Sequence, residues 1–162
     1  GLFGPCGYGF PSIIGAKIGN PETPVVGFAG DGAFGISMNE MTAIGRSEWP
    51  GITMIIFRNY QWGAEKRNST LWYDDNFIGT ELDLQVSYAD IAKACGVNGV
   101  QVRTMDELTS ELGNAVKTQM EQGKTTFLEV ILNQELGDPF RRDAMKTPVP
   151  VAGVSKNDMC TQ

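Results

Sequence analysis

Short apolar runs recur along the chain and are separated by segments of mixed polarity. Residues 25–29 and 52–57 are nearly continuous in apolar side chains, which is typical of strands covered on both faces of a parallel sheet. Residues 100–103 and 125–132 are interpreted as two further strands. The pattern therefore predicts four strands.

The intervening segments predict helices. Two of them are expected over residues 11–18 and 37–46, where apolar or small residues recur at helical spacing. Capping boxes at Ser87 and Thr104 open two more. Their ends are predicted at Gly96 and Gly123. Strands that alternate with helices predict an α/β fold, in which a parallel sheet with right-handed connections carries helices on both faces.

Polar side chains follow three of the predicted strands at their carboxyl ends. Asp31, flanked by Gly30 and Gly32, follows the first strand, Asn59 the second and Gln134 the last. Ligands of such sheets bind at this edge. A carboxylate and a carboxamide there offer hard oxygen ligands to Mg²⁺, which completes its shell with phosphate oxygens and water. Because glycines let a bulky anion approach the backbone, the sequence predicts a diphosphate held through a metal.

The same segment admits a second interpretation. Residues 30–35 read G-x-G-x-x-G, the glycine pattern of dinucleotide-binding folds. That fold requires an acidic residue near the end of the next strand, where this chain has Arg58 and Asn59. Arg58 has the charge to meet a 2′-phosphate, so the alternative stays open. Asp31 argues against it, since its carboxylate repels a pyrophosphate unless a cation lies between them.

Two segments resemble a known family. Gly30-Asp31-Gly32, followed one strand later by Asn59, resembles the thiamine-diphosphate motif of the acetohydroxyacid synthase–pyruvate oxidase superfamily. Residues 4–11 resemble that family's Gly-x-Met-Gly-x-Gly-x-Pro segment, with Cys6 in place of Met. The resemblance implies the pyrophosphate-binding domain of the thiamine-diphosphate-binding fold, with thiamine diphosphate and Mg²⁺ as cofactors.

The resemblance also implies a set of site residues. The family binds Mg²⁺ through the Asp, the Asn and a backbone carbonyl two residues after the Asn, which here are Asp31, Asn59 and Gln61. Gly4 and Cys6 inherit backbone contacts to the aminopyrimidine ring. The implied cofactor-binding residues are Gly4, Cys6, Gly30, Asp31, Gly32, Ala33, Asn59, Gln61, Trp62 and Gly63.

Residues 59–66 and 134–144 resemble the branch of this superfamily that converts sulfoacetaldehyde. This resemblance implies an acyltransferase of sulfonate catabolism and taurine degradation, which takes sulfoacetaldehyde and phosphate to acetyl phosphate and sulfite. An acetolactate-synthase-like or pyruvate-oxidase-like enzyme is one alternative, and a non-catalytic dinucleotide-binding domain is another. Since both reactants are anions, Arg141 and Arg142 are candidate substrate-binding residues, with Lys66 as a third and Trp62 as a pocket wall.

The chain opens at Gly1 within a glycine-rich turn and is interpreted as a fragment. Residues 1–146 would form the cofactor-binding domain, truncated at its N-terminus, and residues 147–162 an irregular tail. The resemblance implies further domains upstream, one of which bears the glutamate that activates the cofactor across a subunit interface. We therefore expect a homodimer or homotetramer in which a neighbouring subunit's pyrimidine domain completes the site. The isolated chain is expected to be inactive.

The composition argues against several classes of function. The net charge of −6 argues against a nucleic-acid or anionic-membrane partner. No apolar stretch approaches the roughly 18 residues that a membrane span needs. The chain has no histidine, which excludes Ser-His, Cys-His and histidine–metal chemistry within it. Three cysteines without a paired spacing favour a reducing, cytoplasmic compartment.

Overall fold

The structure, a computed structural model, describes residues 4–136. The chain divides into two compact units. Within the described residues, the first unit comprises 4–61 and 82–134, and the second comprises 62–81 with 135–136. The sheet and the residues of the predicted metal site belong to the first unit.

Four parallel strands form the sheet of the first unit. They are β1 (Val26–Gly30), β2 (Thr53–Arg58), β3 (Asn98–Val102) and β4 (Thr126–Ile131), and their order is β1-β2-β4-β3. Every pairing is parallel, so each return connection crosses over the sheet. This confirms the predicted α/β class, and the strand boundaries agree with the prediction to within about two residues, as expected for sequence-based boundaries.

Helices occupy the connections. The first unit contains α1 (Gly9–Gly19), α2 (Asp31–Ile36), a 3₁₀ turn (Met38–Glu40), α3 (Met41–Ile44), α5 (Tyr88–Ala94) and α6 (Met105–Gln122). The second unit contains α4 (Gly63–Trp72). No helix among the described residues is long and apolar enough to cross a membrane.

The predicted helix over residues 37–46 is confirmed in part, since this range is divided into the 3₁₀ turn Met38–Glu40 and the short helix α3, Met41–Ile44. Helix α2 was not predicted; it begins at Asp31, directly after β1, and ends at Ile36. Ser37 leaves the helical conformation, with φ −116° and ψ 21°, and its hydroxyl donates to Gly7 O at 2.7 Å. Helix α4 was missed, since its sequence is largely polar and lacks a clear apolar stripe.

The predicted starts of α5 and α6 are confirmed, with one correction at α5. Thr104 and Glu107 form both hydrogen bonds of a capping box, and Gly123 ends α6 with a left-handed φ of 64°. At α5 only half of the box forms, because Ser87 accepts from Asp90 N while the Asp90 carboxylate pairs with Lys93 at 2.9 Å. The N–H groups at the start of α5 donate instead to the side chain of Glu129 in β4.

Helices cover both faces of the sheet. On one face, Phe34 of α2 is fully buried, with ring centroids 5.1 Å from Phe10, 5.2 Å from Tyr88 and 5.1 Å from Phe127. On the other face, α6 packs over a smaller cluster. That cluster contains Ile55, Val102, Ala115, Leu128 and Val130. The core therefore consists of two layers separated by the sheet.

The described residues leave one face of β1 uncovered. The Phe28 side chain is 72% exposed, and its ring centroid lies 6.4 Å from that of Phe57. Val26, on the same face, is also exposed. Helix α6 therefore covers β2 and β4 but leaves the outer part of β1 open.

A buried amide fixes β1 against α6. Gln119, 2% exposed, accepts from Val25 N at 2.7 Å and donates to Val25 O and Thr53 Oγ1, each at 2.9 Å. The side chain therefore pairs with the backbone at the start of β1 much as a neighbouring strand would. This contact holds the strand that delivers Asp31 to the opposite edge.

We expect Gln119→Leu in the full-length protein to lower the free energy of unfolding by about 2–4 kcal/mol, since three hydrogen bonds are lost and the backbone groups of Val25 stay buried. Denaturant titration and hydrogen exchange of the β1 amides would measure the loss. Gln122→Leu, at an exposed position of the same helix, is the control and should change stability by no more than about 0.5 kcal/mol. Equal effects of the two variants would contradict this role.

Candidate functional site

The carboxyl ends of β1 and β2 bring the predicted metal ligands together. Gly30 and Phe57 are register partners in these neighbouring strands, and Asp31 and Asn59 follow shortly after them. Asp31 is 1% exposed and accepts from Gly32 N through Oδ1 at 2.9 Å. The sequence therefore placed both side chains at the correct edge.

Three polar groups converge at this point. The Asn59 amide NH₂ group donates to Asp31 Oδ1 at 3.2 Å and to Gln61 O at 3.1 Å. Turning the amide over would present Asn59 Oδ1 at the same place, beside the other two oxygens. Adjacent ligands of an octahedral Mg²⁺ ion lie about 3 Å apart, since each is about 2.1 Å from the metal. The spacing thus fits a small cation that takes one oxygen from each residue.

A strained turn presents two of these oxygens. Tyr60 has a φ of 61°, a left-handed conformation that costs a residue with a side chain on the order of 1–3 kcal/mol. Its N–H donates to Asp31 Oδ2 at 2.7 Å, and its carbonyl accepts from Leu82 N at 2.9 Å. These bonds hold the turn that directs the Asn59 side chain and the Gln61 carbonyl to one place.

The second oxygen of Asp31 is bound to Arg58. Arg58 Nη1 lies 3.3 Å from Asp31 Oδ2, and both side chains are almost fully buried. Arg58 Nη2 donates to the carbonyls of Asp83 at 2.6 Å and Val86 at 3.2 Å. The guanidinium is therefore committed to protein acceptors and is inaccessible to a 2′-phosphate, which overturns the role that the dinucleotide alternative gave it.

Aromatic rings enclose the same guanidinium. The Arg58 Cζ atom lies 4.4 Å from the ring centroid of Tyr60 and 4.3 Å from that of Tyr88. Contacts of a guanidinium with aromatic faces are favourable, particularly where water is excluded. The side chain is consequently restrained by two aromatic rings as well as by its hydrogen bonds.

Glu129 of β4 was not predicted as a site residue from the sequence. Its side chain is 1% exposed, and its Oε1 lies 3.6 Å from Arg58 Nε. Its carboxylate also accepts from the backbone N–H groups of Tyr88 and Ala89 at 3.1 Å, and thereby supplies the missing acceptor at the start of α5. Ser87 Oγ and Gln101 Nε2 donate to it as well, each at 3.1 Å. A charged residue inside an apolar strand is the signal that would have revealed it.

Gln61 connects this edge to the segment after β4. Its side chain is 2% exposed, and its Nε2 donates to Gln134 O at 2.8 Å. Gln134 Nε2 in turn donates to Tyr60 O at 3.4 Å, so the predicted position of Gln134 at this edge is correct. Gln61 Oε1 has no hydrogen-bond partner among the described residues, which leaves a buried acceptor for a water or ligand donor.

The remaining predicted residues lie in three places. In the first unit, Gly4 has a left-handed φ of 58° and the Cys6 side chain is exposed. In the second unit, Trp62 precedes α4, Gly63 begins it, and the ammonium of Lys66 pairs with Glu81 and lies 5.2 Å from the Phe77 ring centroid. Arg141 and Arg142 fall outside the described residues.

The donor set points to a particular class of metal. Residues 4–136 contain no group of three or more His, Cys, Asp or Glu side chains arranged to hold a metal. One carboxylate and two neutral oxygens instead suit a hard cation that takes its other ligands from phosphate and water.

Known proteins resemble this chain over most of its length. Residues 1–130 match the family model of the thiamine pyrophosphate enzyme C-terminal TPP binding domain. Over all 162 residues the chain is 70% identical to a sulfoacetaldehyde acetyltransferase of Roseovarius nubinhibens and 72% identical to one of Rhodobacter capsulatus. The chain spans 27% of the length of each of these relatives.

A solved structure shares the fold. The thiamine diphosphate-dependent 4-hydroxybenzoylformate decarboxylase of Rhodococcus jostii superposes with a TM-score of 0.65 at 21% identity. The match covers 81% of this chain and 24% of that one. At this identity the similarity establishes the architecture alone.

The environment of Tyr88 leads to a pH prediction. Burial raises the pKa of its hydroxyl above the usual 10.0, although the Arg58 guanidinium opposes the shift. Because the pKa of Tyr88 is higher in the folded state than in the unfolded state, the contribution of this side chain to the free energy of unfolding is fully present below pH 10. This contribution is lost as the pH rises through the folded pKa. Above pH 10, the free energy of unfolding of Tyr88→Phe should therefore fall less than that of the wild type.

Unfolding free energies of the full-length protein between about pH 9 and 11.5, with the tyrosinate absorbance recorded in parallel, would check this expectation. Tyr73→Phe, at a side chain that is 63% exposed, provides the control. An alkaline stability loss that is the same in Tyr88→Phe and in the wild type would contradict it.

Proposed function

Because the chain belongs to the thiamine pyrophosphate enzymes, as their C-terminal cofactor-binding domain, we propose that it binds the cofactor's diphosphate through Mg²⁺. The metal ligands in this proposal are Asp31 Oδ1, Asn59 Oδ1 and Gln61 O. The observation that carries it is that the Asn59 carboxamide lies 3.2 Å from Asp31 Oδ1 and 3.1 Å from Gln61 O, so that its own oxygen would join theirs once the amide turns over. Diphosphate oxygens and water would complete the octahedral shell.

Other residues would hold the rest of the cofactor. Gly30, Gly32 and Ala33 surround Asp31 and offer backbone groups to the diphosphate, and Trp62 and Gly63 extend the same role beyond Gln61. Gly4 and Cys6 would support the aminopyrimidine ring through their backbone. When bound, thiamine diphosphate supplies a nucleophilic carbon for attack on a carbonyl group, while the protein supplies position and electrostatics.

For the whole protein, we propose the activity of the relatives, with sulfoacetaldehyde and phosphate giving acetyl phosphate and sulfite. Identities of 70% and 72% over the full chain support this reaction over an acetolactate-synthase-like or pyruvate-oxidase-like one. The inaccessible guanidinium of Arg58 and the family match leave the dinucleotide-binding alternative without support. We also propose a homodimer or homotetramer, in which a neighbouring pyrimidine domain supplies the activating glutamate.

The metal assignment is tested by Asp31→Asn in the full-length protein. Asparagine keeps the shape of the side chain, whereas Asp31→Ala would leave buried Arg58 short of a partner and would itself be destabilising. We expect Mg²⁺-dependent binding of thiamine diphosphate to be lost. In the wild type, cofactor at about 100 times its dissociation constant should stabilise the fold by ~2.7 kcal/mol, and this gain should vanish in the variant.

Thermal unfolding with and without thiamine diphosphate plus Mg²⁺ would measure both effects. Asp106→Asn, at an exposed position in the first turn of α6, is the control and should retain the full ligand-induced shift. Undiminished cofactor binding by Asp31→Asn would show that the ion is held elsewhere.

The substrate assignment is tested at Arg141 and Arg142. We expect at least one of Arg141→Ala and Arg142→Ala to raise the Michaelis constant for phosphate or sulfoacetaldehyde several-fold, because a guanidinium fork suits phosphate and sulfonate oxygens. Cofactor affinity should stay unchanged. Steady-state kinetics of the full-length enzyme with each substrate varied would measure the effect. Wild-type constants in both variants would place the anion site elsewhere.

A further inference from the structure

The two oxygens of the Asp31 carboxylate have different surroundings. Oδ1 accepts from Gly32 N at 2.9 Å and faces the Asn59 carboxamide at 3.2 Å. Oδ2 accepts from Tyr60 N at 2.7 Å and from Arg58 Nη1 at 3.3 Å. Oδ2 is therefore held on the side of Arg58, and Oδ1 is the oxygen that faces the proposed metal ligands.

Arg58 has little freedom to release Oδ2. Its Nη2 is bound to two backbone carbonyls, its Nε faces Glu129, and two tyrosine rings lie within 4.4 Å of its Cζ atom. Glu129 is fixed in turn by two backbone N–H groups and by Ser87 and Gln101. The orientation of the Asp31 carboxylate thus depends on a rigid chain of contacts that runs back to β4.

We propose that Arg58 is a positioning residue which restricts Asp31 to monodentate metal binding and thereby selects Mg²⁺ over Ca²⁺. The inference rests on the proposed Mg²⁺ site. Mg²⁺ requires near-ideal octahedral geometry with single oxygens, whereas Ca²⁺ takes more ligands and readily accepts both oxygens of one carboxylate. A carboxylate that cannot rotate offers Ca²⁺ no second oxygen.

Lysine would not replace arginine in this role. The guanidinium contacts Asp31 and the carbonyl of Asp83 through different nitrogens while its Cζ atom lies within 4.4 Å of two ring centroids. An ammonium is a single point of charge without a planar fork, so it cannot keep all of these contacts. Arg58→Lys therefore preserves the charge but leaves Oδ2 held by the Tyr60 N–H alone.

The experiment compares two metals in the full-length protein. Dissociation constants for Mg²⁺ and Ca²⁺ would be measured by calorimetry with saturating thiamine diphosphate, for the wild type, Arg58→Lys and Glu129→Gln. In Arg58→Lys we expect Mg²⁺ affinity to fall about 10- to 100-fold, as for other residues that orient metal ligands, and Ca²⁺ affinity to fall clearly less. Arg46→Lys, at a surface arginine 59% exposed and paired with Glu48, should leave both constants unchanged.

Each outcome decides a separate question. A wild type that binds no Mg²⁺ with the cofactor refutes the proposed function itself. If the wild type binds Mg²⁺ but Arg58→Lys weakens both metals equally, or neither, the selectivity role is refuted. If Arg58→Lys does not fold, Glu129→Gln decides, since it keeps the side-chain volume and should shift the Mg²⁺-to-Ca²⁺ ratio in the same direction by a smaller factor. An unchanged ratio in Glu129→Gln would then overturn the inference.

Discussion

A row of buried charges across three adjacent strands underlies the site. Asp31 at the end of β1, Arg58 at the end of β2 and Glu129 within β4 are each about 1% exposed. Isolated buried ions cost several kcal/mol each, so the row persists only because every charge meets opposite charge or aligned N–H groups. Two carboxylates share one guanidinium in this row, and the Asp31 carboxylate also faces the proposed metal ligands.

The same row joins the site to the fold. Glu129 accepts from the first N–H groups of α5 and so fixes that helix on the sheet. Tyr88 in that helix also forms one wall around the Arg58 guanidinium. Tyr60 forms the other wall, and its strained backbone orients the neighbouring residues that are the proposed metal ligands. Because single residues serve both packing and the orientation of these proposed ligands, we expect substitutions here to disturb stability and the proposed cofactor binding together.

The sequence predicted which edge of the sheet carries the candidate site, but it did not predict the interactions that hold the site residues in place. Local signals sufficed for the α/β class, the strands and the proximity of Asp31 and Asn59, because strand ends in a parallel sheet share one edge. Their metal role stays a prediction. Arg58 was assigned to a possible ligand, since nothing local shows that Glu129, seventy-one positions away by their numbers, lies beside it. The left-handed conformation of Tyr60 could not be predicted either, because tertiary hydrogen bonds impose it.

The strand order has a consequence for biosynthesis. Among the described strands, β4 comes last in sequence, yet it lies between β2 and β3 and is the hydrogen-bonded neighbour of both. As the chain leaves the ribosome, β3 therefore lacks β4 and Arg58 lacks Glu129 until residues 126–131 emerge. Non-local pairings of this kind close late and leave strand edges open to other chains in the meantime. Translation of β4 therefore joins β3 to the described sheet and brings Glu129 to Arg58, and with it the charge row beside Asp31, in one step.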